Sequence, residues 1–157
     1  MKLKIFRLRD GAKLPVRAYP TDAGMDLFYC PNDESNNNFN KKNEIRIGPG
    51  AGYLIPTGLK IGVPEGYMLE IKNKSGVATK QRLVVGACVI DSGYDGEIFV
   101  NLNNIGNSVK EIVPGQKIAQ AVLVPVETCG IEEIKQDNVY GKQTLRASGG
   151  FGSTGDF

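Results

Sequence analysis

The sequence predicts an all-β domain, and three observations carry that prediction. Apolar and polar residues alternate with a period of two over much of the chain, as in strands with one buried face. Proline or glycine interrupts these runs at short intervals, at Pro49-Gly50, Pro64-Glu65-Gly66, Ser92-Gly93 and Pro114-Gly115. Helical patterning is thin: only Ser75 to Leu83 reads as a short helix, with Ser75 as its N-cap. Many short strands with regular turns describe a β-sandwich, a jelly roll or a barrel.

The elements follow in chain order. Met1 to Asp10 alternates Lys/Arg with apolar residues and lacks the apolar run of a signal peptide. Asn32 to Asn43 is polar and Asn-rich, a surface loop between strands. Tyr53, Ile55, Thr57, Leu59, Ile61 and Val63 form the inward face of one long alternating stretch. Tyr67, Leu69 and Ile71 do the same for a second. Val84 to Ile90, a bend at Asp91–Gly96, and Glu97 to Leu102 read as a β-hairpin, with Ile98, Val100 and Leu102 facing inward. Ile118 to Val126 is almost wholly apolar and reads as buried on both faces, in a core or a subunit interface. No repeat or linker divides residues 1–140, which are expected to form one β domain. Residues 141–157 hold five glycines and few large apolar side chains, too few to order a segment, and are expected to form a flexible arm.

Composition narrows the chemistry. A chain of 157 residues has room for one domain with a real core. The net charge of +2 gives no footprint for nucleic acid or anionic lipid. No apolar run approaches the ~18 residues of a membrane span. Three isolated cysteines, Cys30, Cys88 and Cys129, fit reduced thiols and a soluble intracellular protein. Histidine is absent, which removes Ser-His-Asp and Cys-His catalysis, histidine-ligated zinc and any imidazole proton transfer. A proton acceptor would have to be another side chain, most simply a carboxylate. Glycine, at 20 residues, is about twice its usual ~7% share, so the chain needs tight turns or close backbone approach to a ligand.

Four segments carry candidate chemistry, each with an ordinary structural alternative. Asp22-Ala23-Gly24-Met25-Asp26-Leu27 places two carboxylates about a glycine, which is either a site or a turn. Lys74-Ser75-Gly76 offers a cation, a hydroxyl and glycine amides at a strand-to-helix turn, suited to phosphate or to capping. Asp91 and Tyr94 share the bend of the expected hairpin. Asp91 directly follows an apolar pair, so it is expected at the mouth of the core, partly desolvated and reactive as a general base. The alternative is a solvated turn with a packing tyrosine. In Gly115-Gln116-Lys117-Ile118-Ala119-Gln120, Gln120 interrupts an apolar strand and needs a partner, in the core or interface or on a ligand or water. The segment Arg146 to Gly155 adds a guanidinium, an aromatic ring, three hydroxyls and glycine amides, parts suited to closing over a phosphorylated planar ligand.

Together and in this order, Ala23–Leu27, Lys74–Gly76, Val89–Glu97, Gly115–Gln120 and Arg146–Gly155 resemble the five motifs of the trimeric dUTPase family. The resemblance implies a distorted jelly roll or β-barrel, assembled as a homotrimer with three sites shared between chains. It implies hydrolysis of dUTP to dUMP and pyrophosphate, keeping uracil out of DNA and supplying dUMP for thymidylate synthesis. Mg²⁺ would ride on the triphosphate and water, with no direct protein ligand. Asp91 would activate the attacking water. Tyr94 would pack beneath the deoxyribose and refuse a 2′-hydroxyl. The backbone from Cys88 through Ile90 to Asp91, with Phe99, would bind the uracil edge. Lys74, Ser75 and Gly76 would hold phosphates, and Gln120 would help place the α-phosphate and the water. Arg146 would contact phosphates, Phe151 would stack on uracil, and Gly152, Ser153 and Thr154 would close on the γ-phosphate. Asp26 would support the site. The resemblance also implies no direct contact with nucleic acid or membrane, and a cytoplasmic location or, for a viral source, the host-cell interior.

Three positions depart from the family pattern. Lys74 stands where arginine is usual and loses the bidentate fork. Cys88 stands where glycine is usual, so its side chain would have to turn into the core. Ala147 stands where glycine is common and would stiffen the base of the arm. Two other readings share the fold: a dUTP-binding regulatory protein, and a dCTP deaminase. Asp91 favours the hydrolase over the first; the Asp91/Tyr94 pair and the glycine-rich tail favour it over the second.

Overall fold

The computed structural model describes residues 1–32, 43–135, 137, 139 to 149. Most of the Asn32–Asn43 loop and the assignments on Phe151, Gly152, Ser153 and Thr154 lie outside the described residues. The chain divides into a unit Met1–Glu127 and a unit Thr128–Phe157.

The first unit is all-β and jelly-roll-like, with one short helix. Its elements are β1 (Lys4–Arg7), β2 (Met25–Phe28), β3 (Ile45–Ile47), β4 (Gly52–Pro56), β5 (Leu59–Gly62), β6 (Tyr67–Lys72), α1 (Ser75–Gln81), β7 (Leu83–Val85), β8 (Val89–Ile90), β9 (Phe99–Asn104), β10 (Lys110–Ile112) and β11 (Lys117–Pro125). They form a four-stranded sheet β2-β11-β6-β8, a three-stranded sheet β4-β9-β7, and the pairs β1-β5 and β10-β3. Every pairing is antiparallel.

One core lies between these sheets. Leu27, Ile55, Leu59, Leu69, Ile98, Val100 and Ile112 are wholly buried. The buried Asn104 and Tyr29 side chains are matched. The Asn104 amide donates to the carbonyls of Ile47 and Ser108 at 2.8 Å each and accepts from Gly106 N, tying β9 to β3. Tyr29 donates its hydroxyl to Asn43 O at 2.8 Å. Burial pushes that phenol up to about 12, so it stays a neutral donor. Among the described residues, no helix is long and apolar enough to cross a membrane.

Three expectations are corrected. The alternating run from Tyr53 to Val63 is two strands, not one. β4 and β5 lie in different sheets, and the chain turns between them at Thr57-Gly58. Gly58 adopts φ +70°, and a Cβ there would meet Ala12 Cβ at 2.8 Å and Cys30 Sγ at 3.0 Å. The inward parity nonetheless holds through the turn, with Ile55, Thr57, Leu59, Ile61 and Val63 all buried; Tyr53 is not. The segment Val84–Leu102 is not a simple hairpin either. β7 pairs with β9, but β8 leaves that sheet and pairs with β6, Leu69 opposite Ile90. The Asp91–Glu97 stretch is therefore a loop joining two sheets. Finally, the cap of α1 is Lys74, extended at φ −87° and ψ 125°, and Ser75 is the first helical residue. The Ser75 carbonyl instead accepts the Thr79 hydroxyl at 2.7 Å. The expectation for Ile118–Val126 holds in its first half, where Ile118, Ala119 and Ala121 are buried within a strand paired on both edges.

Gly58 and Gly50 separate two costs of replacing glycine. Both have positive φ, but nothing lies within 4 Å of a Cβ at Gly50. Gly58→Ala is expected to cost about 3 kcal/mol, left-handed strain plus overpacking. Gly50→Ala should cost about 1 kcal/mol, strain alone. Denaturant midpoints of the two variants check the difference.

Candidate functional site

Asp26 is the buried charge around which one part of the site is built. It lies in β2, 4% exposed. Lys74 Nζ stands 2.8 Å from Oδ1 and Lys117 Nζ 2.7 Å from Oδ2. Burial alone would raise the carboxyl's pKa; bonding and charge from Lys117 and Lys74 outweigh it and hold the group below the ordinary aspartate value. The pairing of β11 with β2 explains how both lysines reach it. The register runs Gln120 opposite Asp26, then shifts between Ala119 and Lys117, so that Lys117 faces Phe28. Lys117 and Gln120 are an odd number apart and would normally point to opposite faces. The bulge puts both on the face of Asp26.

Gln120 meets the expectation of a bonded partner. Its amide donates to Asn73 O at 2.9 Å, immediately before Lys74. Gly24 makes room for it: a Cβ there would fall 2.0 Å from Gln120 Oε1. Segments one, two and four are thus joined through Asp26, Lys74, Lys117 and Gln120. Ser75 and Gly76 are exposed at the start of α1, where backbone amides lack intrahelical partners.

The third segment forms a second locus. Leu54, Val89, Ile90, Asp91, Tyr94 and Phe99 line a cleft of about 320 Å³ between the ends of β4, β8 and β9. Asp91 and Tyr94 close a turn, Tyr94 N donating to Asp91 O at 3.3 Å with Gly93 at φ +88°. The Tyr94 hydroxyl donates to Glu97 O at 3.0 Å. Gly96 is needed beneath it, since a Cβ would meet that hydroxyl at 2.2 Å. Ser92 anchors the near side by donating to Val63 O at 3.1 Å.

Two expectations about this locus change. Asp91 is exposed in the single chain, not partly desolvated, because the loop it opens stands outside both sheets. The Cys88 carbonyl is not free to read a base: it accepts Ile71 N at 2.7 Å, since β8 pairs with β6 on that side. By strand alternation, Val89 presents its backbone to the opposite, unpaired edge. Cys88 itself is only partly buried. The sequence left Leu54 and Lys117 without roles, while Val89 had one only as part of the Cys88–Asp91 backbone. The cation within Gly115–Gln120 was a visible signal for Lys117; Leu54 had none beyond being apolar.

In the second unit, Arg146 is exposed and its Nε donates to Gly149 O at 2.9 Å. Ala147 takes φ +45°. Glycine adopts that region without the steric cost of a Cβ, so Ala147 carries a strain that glycine would not.

Asp26 makes a prediction about acid. Its folded-state pKa lies below the unfolded value, so its ion pairs stabilise the fold above the unfolded pKa near 3.9 and are lost as pH falls through the folded value. Asp26→Asn should lower neutral-pH stability by about 2 kcal/mol, less than for a fully buried pair because both lysines are part-exposed. It should also flatten the loss of stability below about pH 4, read from denaturation at several pH values.

Comparison with known proteins places the chain in a family. The dUTPase family model matches residues 10–155. The deoxyuridine 5'-triphosphate nucleotidohydrolase of Clostridium tetani is 40% identical over 155 residues, spanning 98% of this chain and 96% of that one. Its counterpart in Chlamydia pneumoniae is 41% identical over 150 residues, 94% of each chain. Among solved structures, the Staphylococcus bacteriophage 80alpha dUTPase with dUpNHpp superposes with TM-score 0.84 at 25% identity, over 98% of both chains. A mutant dUTPase from phage phi11 of S. aureus, with a coordinated structural Mg(II) ion, superposes with TM-score 0.75 at 25% identity, over 87% of this chain and 98% of that one. The chain belongs to the dUTPase family.

Proposed function

We propose that this protein hydrolyses dUTP to dUMP and pyrophosphate, and thereby keeps uracil out of DNA while supplying dUMP. Asp91 beside Tyr94 on one loop, at the rim of an apolar cleft, is the observation that carries the reading. The substrate reading rests on membership of the dUTPase family. The base enters between Leu54, Val89 and Phe99, with the free edge of β8 offering backbone groups to uracil. The Tyr94 ring lies beneath the deoxyribose. Asp91 takes a proton from water as its oxygen attacks the α-phosphorus. The bond to the bridging oxygen breaks, and pyrophosphate leaves with the electron pair. Catalysis of this kind is positioning and charge neutralisation more than covalent chemistry.

The triphosphate is held by Lys74, by the amides and hydroxyl of Ser75 and Gly76, and by Gln120. Asp26 supports Lys74 and does not bind the ion itself, since both its oxygens face lysines. Among the described residues no group of three acidic, cysteine or histidine side chains gathers as a metal site. Mg²⁺ fits as the companion of the triphosphate, where it neutralises phosphate charge. Asp91 and Tyr94 are exposed in the single chain, which suits a site completed by other copies in a homotrimer. Residues 141–157 would form an arm closing over a neighbouring copy's site, with Arg146 on the phosphates bound there.

Two expected outcomes test this. Asp91→Asn should lower pyrophosphate release from dUTP by about 10²–10⁴-fold, the contribution of a general base. Turnover equal to wild type would remove Asp91 from that role. Deleting residues 146–157 should abolish turnover while size-exclusion chromatography still reports the wild-type oligomer. Retained turnover would remove the arm from the site.

A further inference from the structure

The loop that carries Asp91 and Tyr94 is held by a pair of charges the reaction does not use. Arg9 and Glu97, 88 residues apart, have side chains only 16% and 12% exposed. Arg9 Nη1 donates to Glu97 Oε2 at 3.1 Å, and Arg9 Nη2 donates to Oε1, a fork on both carboxylate oxygens. Oε1 also accepts Gly58 N at 2.7 Å, and Arg9 Nη2 reaches Cys30 O at 3.4 Å. The backbone carbonyl of the same Glu97 accepts the Tyr94 hydroxyl. Contacts therefore run from Arg9 to the Glu97 side chain, through its backbone, to the ring of Tyr94.

The core does not need this pair to set its register. Ile98 N already donates to Leu59 O at 2.8 Å, and Thr57 Oγ1 donates to Ile98 O at 2.7 Å. These bonds fix the strand one residue further on. A part-buried ion pair added to them contributes little net stability, because desolvation offsets the attraction. Its distinct effect is to fix the residue to which Tyr94 is bonded.

We propose that Arg9 and Glu97 are positioning residues for sugar selection, holding the Tyr94 ring at the height that excludes a 2′-hydroxyl. The inference rests on the reading of Tyr94 as the floor under the deoxyribose. Loosening the pair lets the ring recede and admits a ribonucleotide. Arg9 lies outside the lining of the cleft, and Glu97, which lines it, has both carboxylate oxygens turned to Arg9 and Gly58 N.

The test is the ratio of kcat/KM for dUTP to that for UTP, in wild type, Glu97→Gln, Arg9→Met, the double variant and Tyr94→Ala. The ratio should fall about tenfold in each single variant, as small misplacements near a reacting centre do, with UTP turnover rising. The double variant should be no worse than either single, because the two side chains act as one unit. Arg9→Lys keeps the charge, loses the fork and should show an intermediate ratio with the fold intact. Lower melting temperatures with an unchanged ratio would overturn the inference and leave the pair merely structural. If Tyr94→Ala lowers the ratio and the pair variants do not, this inference falls alone. If Tyr94→Ala leaves it unchanged, the reading of Tyr94 falls and takes the inference with it.

Discussion

The fold depends on the joint at Thr57-Gly58, where four stretches of chain meet. Leu8 N donates to Gly58 O, and Cys30 N donates to Pro56 O. Thr57 is bonded to Ile98 O through both its amide and its hydroxyl, and Gly58 N is bonded to Glu97. These contacts need a residue without a Cβ, since Ala12 and Cys30 pack where one would be. The joint directs β4 into one sheet and β5 into another while keeping the inward parity of both. It also holds the loop of Asp91 and Tyr94, so the same few bonds close the core and position the candidate base.

The proposed phosphate side of the site depends on a different device, a buried carboxylate under two cations. Asp26 has both oxygens occupied, so Lys74 need not be neutralised by it alone. With two lysines on one carboxylate, the cluster retains a net positive charge. That charge is local, which is why an overall charge of +2 is compatible with a triphosphate ligand. Long polyanions need an extended basic surface, but a triphosphate carrying Mg²⁺ needs only a few convergent cations. The bulge in β11 is what brings Lys117 round to Asp26.

What was legible in the sequence followed from local periodicity. The buried faces of β5, β6 and β9 were all visible as alternation, and Ile98, Val100 and Leu102 are buried as expected. Strand partners were not visible, because pairing is decided by tertiary contacts. The run from Val84 to Leu102 looked like a hairpin since both arms are apolar, yet β8 found β6 instead. The alternation of Tyr53–Val63 hid a sheet change because the turn at Gly58 preserves parity. Lys117 lay in a recognised segment, but simple alternation sets it opposite Gln120 in facing, and only the bulge reverses that. The pairing of Arg9 with Glu97 carried no signal, although Glu97 ends a recognised segment, because most of the domain separates the two.

Without histidine, the division of labour among carboxylates becomes the central question of chemistry. The environment separates three of them, as it does wherever similar acids serve different ends. Asp26 is buried and doubly ion-paired, with its pKa lowered, which makes it a poor proton acceptor and a firm structural charge. Glu97 has one oxygen shared by Arg9 and Gly58 and the other held by Arg9, so neither is free to turn toward water. Asp91 stands exposed on its loop, at the rim of the cleft, and no side-chain bond to it occurs among the described residues. A base must be ionised, accessible and fixed in place at once. Asp91 meets the condition of access by its exposure. It meets the third through its neighbours: Ser92 on Val63, Tyr94 on Glu97, and Glu97 on Arg9. The two immobile carboxylates thus set off the third: one supports Lys74, the proposed phosphate-holding lysine, and the other steadies the loop that carries Asp91, the proposed base.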